Sequence, residues 1–503
     1  MLSIYATTKY HNTLRQIIAQ EDRLHELVHI VDYLQEAPLP NADSLIIRED
    51  AIHFPLDWHN TQPPFILPEK IPFSSDYLLG VVFAKLGNTF KAQQYLQPID
   101  PNLLLEFDFL SRLRQGISVA PEELVAQYSA FEDYRLMHNQ AILRHYGQHL
   151  KQAALAHIHY FYQEAIQSAP NEEYAAFSAR QYSLFLQDID QAAAAQQVLA
   201  ALNLAELSAT ARTEILYTSC QARQLQLCVP YDKNLLEQLK ADLWEVLTAY
   251  EAQERPVAQG LVLLQAGTIA NYSESWSEGL AYFNRAIGIF EHQQIPELAA
   301  EAHYRKGTLL FTWAQQGQPQ FYRPAAESYQ EAIKVFNQQQ APEVYAEIQH
   351  HLGIIYSEIP DEACKKSIWA AVSSAAFQEA LKWYQKDTYP YDYAAVCNHY
   401  GNALTKYPTA VLSDNYEKAI YYYSEALHIR TAEAYPLERC LTLLNYLEAQ
   451  WHLGMPEDRL EQDRYDDMRR KAEEVLTLTT DNKLQQDAQR HLEQLKALKA
   501  TYA

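Results

Sequence analysis

A short pattern that recurs with a glycine in a fixed position constrains the fold of this chain more than any other feature of its sequence. The glycine-containing copies are YRKGTLL at 304–310, HHLGIIY at 350–356 and NHYGNAL at 398–404. Each is followed by an alanine-rich copy with an aromatic residue: SYQEAIKVF at 328–336, AFQEALKWY at 376–384 and YYSEALHIR at 422–430. Repetition of this kind predicts an array of stacked units instead of one closed core.

The small residues of the pattern indicate two antiparallel helices packed closely together. A glycine in the first helix of a unit, helix A, leaves room for an aromatic ring of the second, helix B, as with Gly401 and Tyr423. An alanine three residues after the ring, as at Ala426, lets the next unit approach closely. The chain has only 13 glycines and is rich in Ala, Leu, Gln and Glu, so we predict an all-α fold.

These positions resemble the tetratricopeptide repeat family. The resemblance implies a right-handed superhelical solenoid of antiparallel helix pairs whose helices A line a concave face. The clearest units lie 40 to 48 residues apart, at Gly267, Gly307, Gly353, Gly401 and Leu447. The family repeat is about 34 residues, and we expect the extra residues between helix A and helix B. Units of this length resemble the long-repeat arrays associated with caspase-like CHAT proteases in bacteria, although no such protease domain is recognisable.

The strength of the repeat divides the chain into four segments. Residues 1–72 are predicted to form an N-terminal helix or helix pair, followed from residue 36 by a proline-rich connection. Weaker copies predict degenerate tetratricopeptide-like repeats over 73–255, and the clear units form a long-repeat array over 256–456. The polar residues of 457–503 are typical of capping helices that end a helical stack in water.

The resemblance also implies a partner-binding strip, since ligand contacts in the family come from helix-A positions that flank the glycine. Transferred residue by residue, this strip consists of Asn271, Tyr304, Arg305, Thr308, His350, Asn398, Asn402, Lys406, Glu448 and Trp451. Asparagines in such a strip can bracket the backbone of an extended peptide. Only Arg305 and Lys406 are positive, so the two-lysine carboxylate clamp of chaperone-tail binders is not reproduced. We therefore expect a non-catalytic scaffold or adaptor that binds a protein or peptide and regulates a partner enzyme or assembly.

The string HELVH is the feature that most favours catalysis. On a helix, His25 and His29 would lie one turn apart and bind one zinc ion, with Glu26 as general base. This alternative predicts a zinc-dependent hydrolase. We prefer a polar helix face, because only 24 residues precede the motif, too few for the sheet that usually builds such a cleft. A second histidine group is expected to fill packing positions: His138, His145, His149, His157 and His159.

Charge and hydropathy limit the partners. The formal net charge is −23, whereas a nucleic-acid-binding surface needs a positive excess, so we expect no nucleic-acid ligand. No run of 18 apolar residues occurs, and we expect neither export nor membrane insertion. Five scattered cysteines without a CxxC pair are typical of a reduced, cytoplasmic protein. The sequence has no phosphate loop or dinucleotide fingerprint and predicts no cofactor. A peptide-signal sensor is a further alternative, since long arrays of this type serve in that role.

Overall fold

A computed structural model describes residues 2–33, 44–59, 63–121, 124, 130–147, 152–408, 414–453 and 461–501. Two compact units form, Met1–Ala249 and Tyr250–Ala503. We call them unit 1 and unit 2. Unit 1 begins with a small sheet followed by helices, and the described part of unit 2 contains helices without strands. Among the described helices, none combines the length and the apolar character needed to traverse a bilayer.

The N-terminal segment folds as a mixed sheet with one α-helix, so the prediction of a helix or helix pair without strands is wrong there. The strands are β1 (Leu2–Ala6), β2 (Val28–Asp32), β3 (Ser44–Arg48), β4 (Ala51–His53) and β5 (Lys70–Pro72). Their order is β2-β1-β3-β4-β5, with β1 parallel to β2 and β3 and the remaining pairs antiparallel. One helix, α1 (Thr8–Ile18), connects β1 to β2.

The physical reason for the sheet is visible in the strand residues. In β1 buried and partly exposed positions alternate, which is the two-residue period of a strand. In β3 Leu45 and Ile47 are fully buried, as expected for a strand in the interior of a sheet. Part of the predicted proline-rich connection therefore forms β3, β4 and β5.

The rest of unit 1 is helical. Its helices are α2 (Ser75–Lys85), α3 (Thr89–Leu96), α4 (Pro101–Arg114), α5 (Ala130–Gly147), α6 (Gln152–Ser168), α7 (Glu172–Asp188), α8 (Ala192–Ala200), α9 (Ala209–Gln224) and α10 (Lys233–Ala252), which contains the unit boundary. Neighbours pack as pairs, for example α2 with α3 and α5 with α6. Several helices begin at a side-chain cap, as where Ser74 accepts a hydrogen bond from the Tyr77 amide.

Unit 2 contains the predicted helix pairs. Its helices are α11 (Pro256–Tyr272), α12 (Trp276–His292), α13 (Pro296–Gln315), α14 (Tyr322–Ala332), α15 (Pro342–Glu358), α16 (Ala363–Trp383), α17 (Pro390–Leu404), α18 (Asn415–Ile429), α19 (Pro436–His452), α20 (Gln462–Leu478) and α21 (Asn482–Thr501). The odd-numbered helices from α11 to α19 are helices A, and α12, α14, α16 and α18 are helices B. Each of these helices A starts with a proline, whose missing amide hydrogen costs nothing at that position.

The glycines of helices A touch the aromatic rings of helices B, as the sequence predicts. A Cβ on Gly401 would lie 2.5 Å from Tyr423 Cε1, and one on Gly353 would lie 2.9 Å from Phe377 Cδ1. The α-helical repeat solenoid is thereby confirmed. The extra residues are not confined to the A-to-B connection, however. Helix α16 has 21 residues against 11 in α14, and residues 384–389 lengthen the connection from helix B to the next helix A.

Candidate partner-binding face

The predicted strip residues lie on α11, α13, α15, α17 and α19, apart from Lys406, which follows the end of α17. Several of their side chains link one helix A to the next. Most are partly exposed, but Asn398 is buried at 6% exposure. We call the exposed side of these five helices the helix-A face.

At the first helices, polar side chains connect α11, α13 and α15. Arg305 Nη1 donates a hydrogen bond of 3.1 Å to Thr268 Oγ1, and its Nε donates to Glu301 Oε1 at 2.6 Å. Tyr304 Oη donates to Glu347 Oε1 at 2.6 Å. Burial and the Glu347 carboxylate raise the pKa of Tyr304, so its hydroxyl remains a donor at neutral pH.

A chain of hydrogen bonds runs from the face into the contact between helices A and B. Thr308 Oγ1 lies 3.0 Å from Tyr329 Oη, and Tyr329 Oη lies 3.0 Å from His351 Nδ1. Burial lowers the pKa of His351 to about 4, so its ring is neutral at pH 7 and Nδ1 can accept a proton donor. Thr308 is therefore oriented by buried groups behind it.

Two histidines join α15 to α17. His350 Nε2 lies 2.8 Å from His399 Nδ1, a distance that requires one ring to donate and the other to accept. Burial, together with His399, lowers the pKa of His350 well below its usual range. Burial and the nearby Arg430 lower the pKa of His399 to about 4. Both rings are consequently neutral at pH 7, which permits the bond between them.

The C-terminal part of the strip is paired as well. Lys406 forms an ion pair with Glu358, and Asn402 Oδ1 accepts a hydrogen bond of 2.9 Å from Tyr423 Oη. Asn398 Oδ1 accepts a hydrogen bond of 3.4 Å from the amide of Asn445.

The last two strip residues connect α19 to the final helix. Trp451 Nε1 donates to His491 Nδ1 on α21 at 2.9 Å, and Glu448 Oε2 lies 3.9 Å from His491 Nε2. The strip therefore ends against α21, one of the two C-terminal helices.

Asn271 differs from the other predicted asparagines. Its Oδ1 is buried and has no hydrogen-bond partner among the described residues. A buried acceptor without a partner is energetically costly. Gln265 Oε1, also on α11, is likewise buried without a hydrogen-bond partner in the described part of the chain.

The polar partners of the strip were missed from the sequence. Thr268, Glu301 and Glu347 each lie three or four residues from a predicted strip residue on the same helix A, but they were not predicted to belong to the strip. His399 was likewise not assigned. Spacing along one helix shows which residues share its face. It does not show which of them meet a residue of the next helix A.

The HELVH string does not lie on an α-helix, so the expected polar helix face and the helical zinc geometry are both wrong. His25 and Glu26 belong to a single 3-10 turn, Leu24–Glu26, whereas His29 lies in β2. Glu26 pairs with Arg23, whose Nη2 is 2.8 Å from Glu26 Oε2. Within the described residues, no group of three or more His, Cys, Asp or Glu side chains could hold a metal ion.

Of the second histidine group, His138 and His145 are packed inside unit 1. His145 Nε2 lies 2.8 Å from Asp188 Oδ2, and His145 Nδ1 lies 2.9 Å from Tyr162 Oη. His149 lies outside the described residues.

Alternating helices A and B with glycines opposite rings give unit 2 a helical-repeat fold of the tetratricopeptide type. Neither a family model nor a curated protein sequence matches the chain. Similar solved structures include a Rap protein complexed with competence and sporulation factor, at 16% identity and a TM-score of 0.40, covering 71% of this chain and 95% of that chain. Yeast Tom70 aligns at 13% identity and a TM-score of 0.35, covering 84% of this chain and 82% of that one. Likeness at these scores carries no information on how this chain functions.

Proposed function

We propose that the helix-A face of unit 2 docks a protein or peptide partner and that the chain works as a scaffold or adaptor without a reaction of its own. The observation that carries the proposal is the series of hydrogen bonds from each helix A to the next. Bonds such as Tyr304 to Glu347 and His350 to His399 hold these side chains in fixed rotamers. A surface ordered before binding loses less conformational entropy when a partner docks.

The charges of the face favour a basic partner. Glu347 and Glu448 lie on its helices in addition to Glu301 and Glu358, which pair with Arg305 and Lys406, and the formal net charge of the chain is −23. Carboxylates at the rim of a binding surface attract a cationic segment and exclude an acidic one. Asn271 on α11 is partly exposed and adds an uncharged polar side chain of a type that can hydrogen-bond to a peptide backbone.

Selection of peptides on the intact chain tests this proposal. A random peptide library is selected against the purified protein, and the dissociation constants of enriched peptides are measured by fluorescence polarisation. We expect enrichment of Lys and Arg, and at least tenfold weaker binding by the Asn271→Ala and Trp451→Ala variants. Truncation of a residue that contributes strongly to binding typically has an effect of this size.

An exposed residue of a helix B provides the matched control. Tyr421 on α18 is 58% exposed, so Tyr421→Ala removes an aromatic side chain from a helix B and leaves the predicted strip residues unchanged. Binding should change less than twofold. Peptides whose binding depends on Tyr421 and not on Asn271 or Trp451 would show that the partner docks elsewhere.

A further inference from the structure

In the segment between β4 and β5, residues 54–69, several described residues are buried although they form neither helix nor strand. We call it the strap, and the structure describes residues 54–59 and 63–69 of it. Trp58, Phe65, Ile66 and Leu67 are at most 6% exposed. Within the strap, the amides of Trp58 and Phe65 bond to the carbonyls of Leu56 and Pro63, at 3.1 and 2.7 Å. The strap belongs to no helix or strand ladder, so its other buried amide and carbonyl groups need partners from other elements.

Asparagine supplies two of these partners. Asn139 Nδ2 on α5 donates to the Ile66 carbonyl at 2.8 Å, and Asn139 Oδ1 accepts from the Ile66 amide at 2.8 Å. Arg135 Nη1, one turn earlier on α5, donates to the same carbonyl at 3.3 Å. The side-chain amide thus brackets one residue of an extended backbone, as the neighbouring strand of a sheet would.

Two further side chains hold strap carbonyls. His138 Nε2 lies 2.7 Å from the Pro64 oxygen, which can only accept, so Nε2 carries the hydrogen. His138 Nδ1 then accepts from Ser178 Oγ on α7 at 2.8 Å. Arg180 Nη1, also on α7, donates to the Trp58 carbonyl at 2.9 Å.

The strap side chains fill apolar sites on the same helices. The Trp58 ring packs edge-on against Phe177 of α7, with 5.2 Å between the ring centroids. Ile66 lies in a cluster with Tyr134 and Phe177, and Phe65 packs against Phe109 of α4. Polar side chains therefore bind the backbone while pockets bind the side chains, which is how grooves recognise extended peptides.

We propose that the face formed by α5 and α7 is a second peptide-binding groove and that the strap is its tethered occupant. The groove fits an extended, proline-containing segment with one aromatic and one aliphatic anchor. A ligand tethered to its own site has an effective concentration in the millimolar range, so a free partner of the same chemistry binds only when the strap leaves. The inference concerns unit 1 and does not depend on the proposed function of unit 2.

Native-state hydrogen exchange on the unmodified chain gives the first test. A tethered ligand can leave while its receptor stays folded, so the Ile66 amide should exchange at least tenfold faster than the central amides of α5 and α7. Equal protection of the strap and of both helices would mean that they open together as one permanent core, and would overturn the proposal.

Binding of the strap sequence as a separate peptide gives the second test. The probe is fluorescein-labelled FPLDWHNTQPPFILPE, the sequence of residues 54–69. The full-length variant Trp58→Ala, Ile66→Ala removes both anchors from the tethered strap, and we expect it to bind the probe at least tenfold more tightly than the wild type does. A folded double variant, with an unchanged circular dichroism spectrum, that fails to bind would overturn the proposal.

Groove variants identify where the probe binds. In the double-variant background, Asn139→Ala should weaken probe binding at least tenfold. Gln140→Ala is the matched control, because Gln140 lies on the same helix and donates instead to the Pro121 carbonyl. Equal effects of the two substitutions would contradict a groove that binds Ile66 through Asn139. If the double variant does not fold, the exchange experiment on the wild type decides.

Discussion

At the scale of single residues, glycine decides how closely helices A and B can pack. A Cβ at Gly401 would lie 2.5 Å from Tyr423 Cε1, and one at Gly267 would lie 2.7 Å from Phe283 Cε1. Gly288 in α12 provides a contrast, since nothing lies within 4 Å of a Cβ built there. The same residue type therefore has a packing role at two positions and none at the third.

This contrast predicts opposite effects of one substitution. Gly401→Ala should destabilise the protein by about 1 to 3 kcal/mol, because the added methyl group overpacks the ring of Tyr423. Gly288→Ala should stabilise it by about 0.5 to 1 kcal/mol through helix propensity alone. Urea unfolding followed by circular dichroism measures both. A shift of the same sign for both variants would contradict the packing argument.

The buried histidine His351 predicts a loss of stability in mild acid. Its folded pKa is about 4, below the usual value near 6.5. Between these values the unfolded chain binds a proton that the folded chain does not, so stability falls as the pH falls. We expect His351 to contribute a loss of about 2 kcal/mol between pH 7 and pH 5.

The variant His351→Asn isolates this effect. Asparagine can still accept a hydrogen bond from Tyr329 but does not titrate in this range. The variant should be less stable than the wild type at pH 7.5, since packing is lost, yet its melting temperature should fall less steeply towards pH 5. An unchanged pH slope would exclude His351 as a source of the acid sensitivity.

At the scale of elements, the helix pairs were predictable because their pattern recurs. Gly307, Gly353 and Gly401 fall in register with a later ring, and the structure places each against that ring. The strands were not predictable in this way. Each occurs once and has only three to five residues, and HELVH divides between a 3-10 turn and β2 because tertiary pairing with β1 prevails.

The site shows the same limit. That strip residues such as Tyr304 and His350 lie on helices A follows from spacing along the chain. Their contacts with Glu347 and His399 depend on how far one helix A is shifted along the next. The spacing of residues in the sequence does not determine this shift. The strap was predicted to be only a connecting segment. Its hydrogen bonds to Asn139 and Arg180 join residues 73 and 122 positions apart in the chain, and local sequence patterns do not reveal such distant contacts.

The link between α13 and α15 yields a prediction at this scale. Tyr304→Phe removes the hydroxyl that bonds Glu347 and should cost about 1 to 3 kcal/mol, because the acceptor is a partly buried carboxylate. Tyr282→Phe is the control, since Tyr282 Oη donates to Glu278 at 2.7 Å within one helix and on the exposed surface. Tyr282→Phe should change the free energy of unfolding by less than about 0.5 kcal/mol, as substitutions at exposed surface positions usually do.

A double-mutant cycle separates the hydrogen bond from other effects. Tyr304→Phe combined with Glu347→Gln should show a coupling energy of about 0.5 to 3 kcal/mol, as neighbouring residues in one network do. Urea unfolding of the four proteins measures it. Additive effects within experimental error would show that this bond does not help to hold α13 against α15.

At the scale of the whole molecule, the net charge of −23 determines how partners approach. A protein with a large negative net charge attracts basic segments over a distance set by the Debye length, about 10 Å at 0.1 M salt. Attraction of this kind raises the association rate more than it slows dissociation. The proposed partner preference therefore has a kinetic signature that does not require the identity of the partner.

Stopped-flow measurements with a lysine-rich peptide selected on the full-length protein can detect that signature. The association rate constant should fall at least tenfold between 50 and 500 mM NaCl, because electrostatic steering raises association rates by a factor of about 10 to 10³ and salt screens it. The dissociation rate constant should change much less, because salt screens the encounter more than the close contacts. A peptide of the same length with glutamate in place of lysine is the control and should not associate measurably. A rate constant independent of salt, or equal binding of the glutamate peptide, would show that the carboxylates of the helix-A face do not select the partner. Apolar contacts at residues such as Trp451 would then have to account for binding.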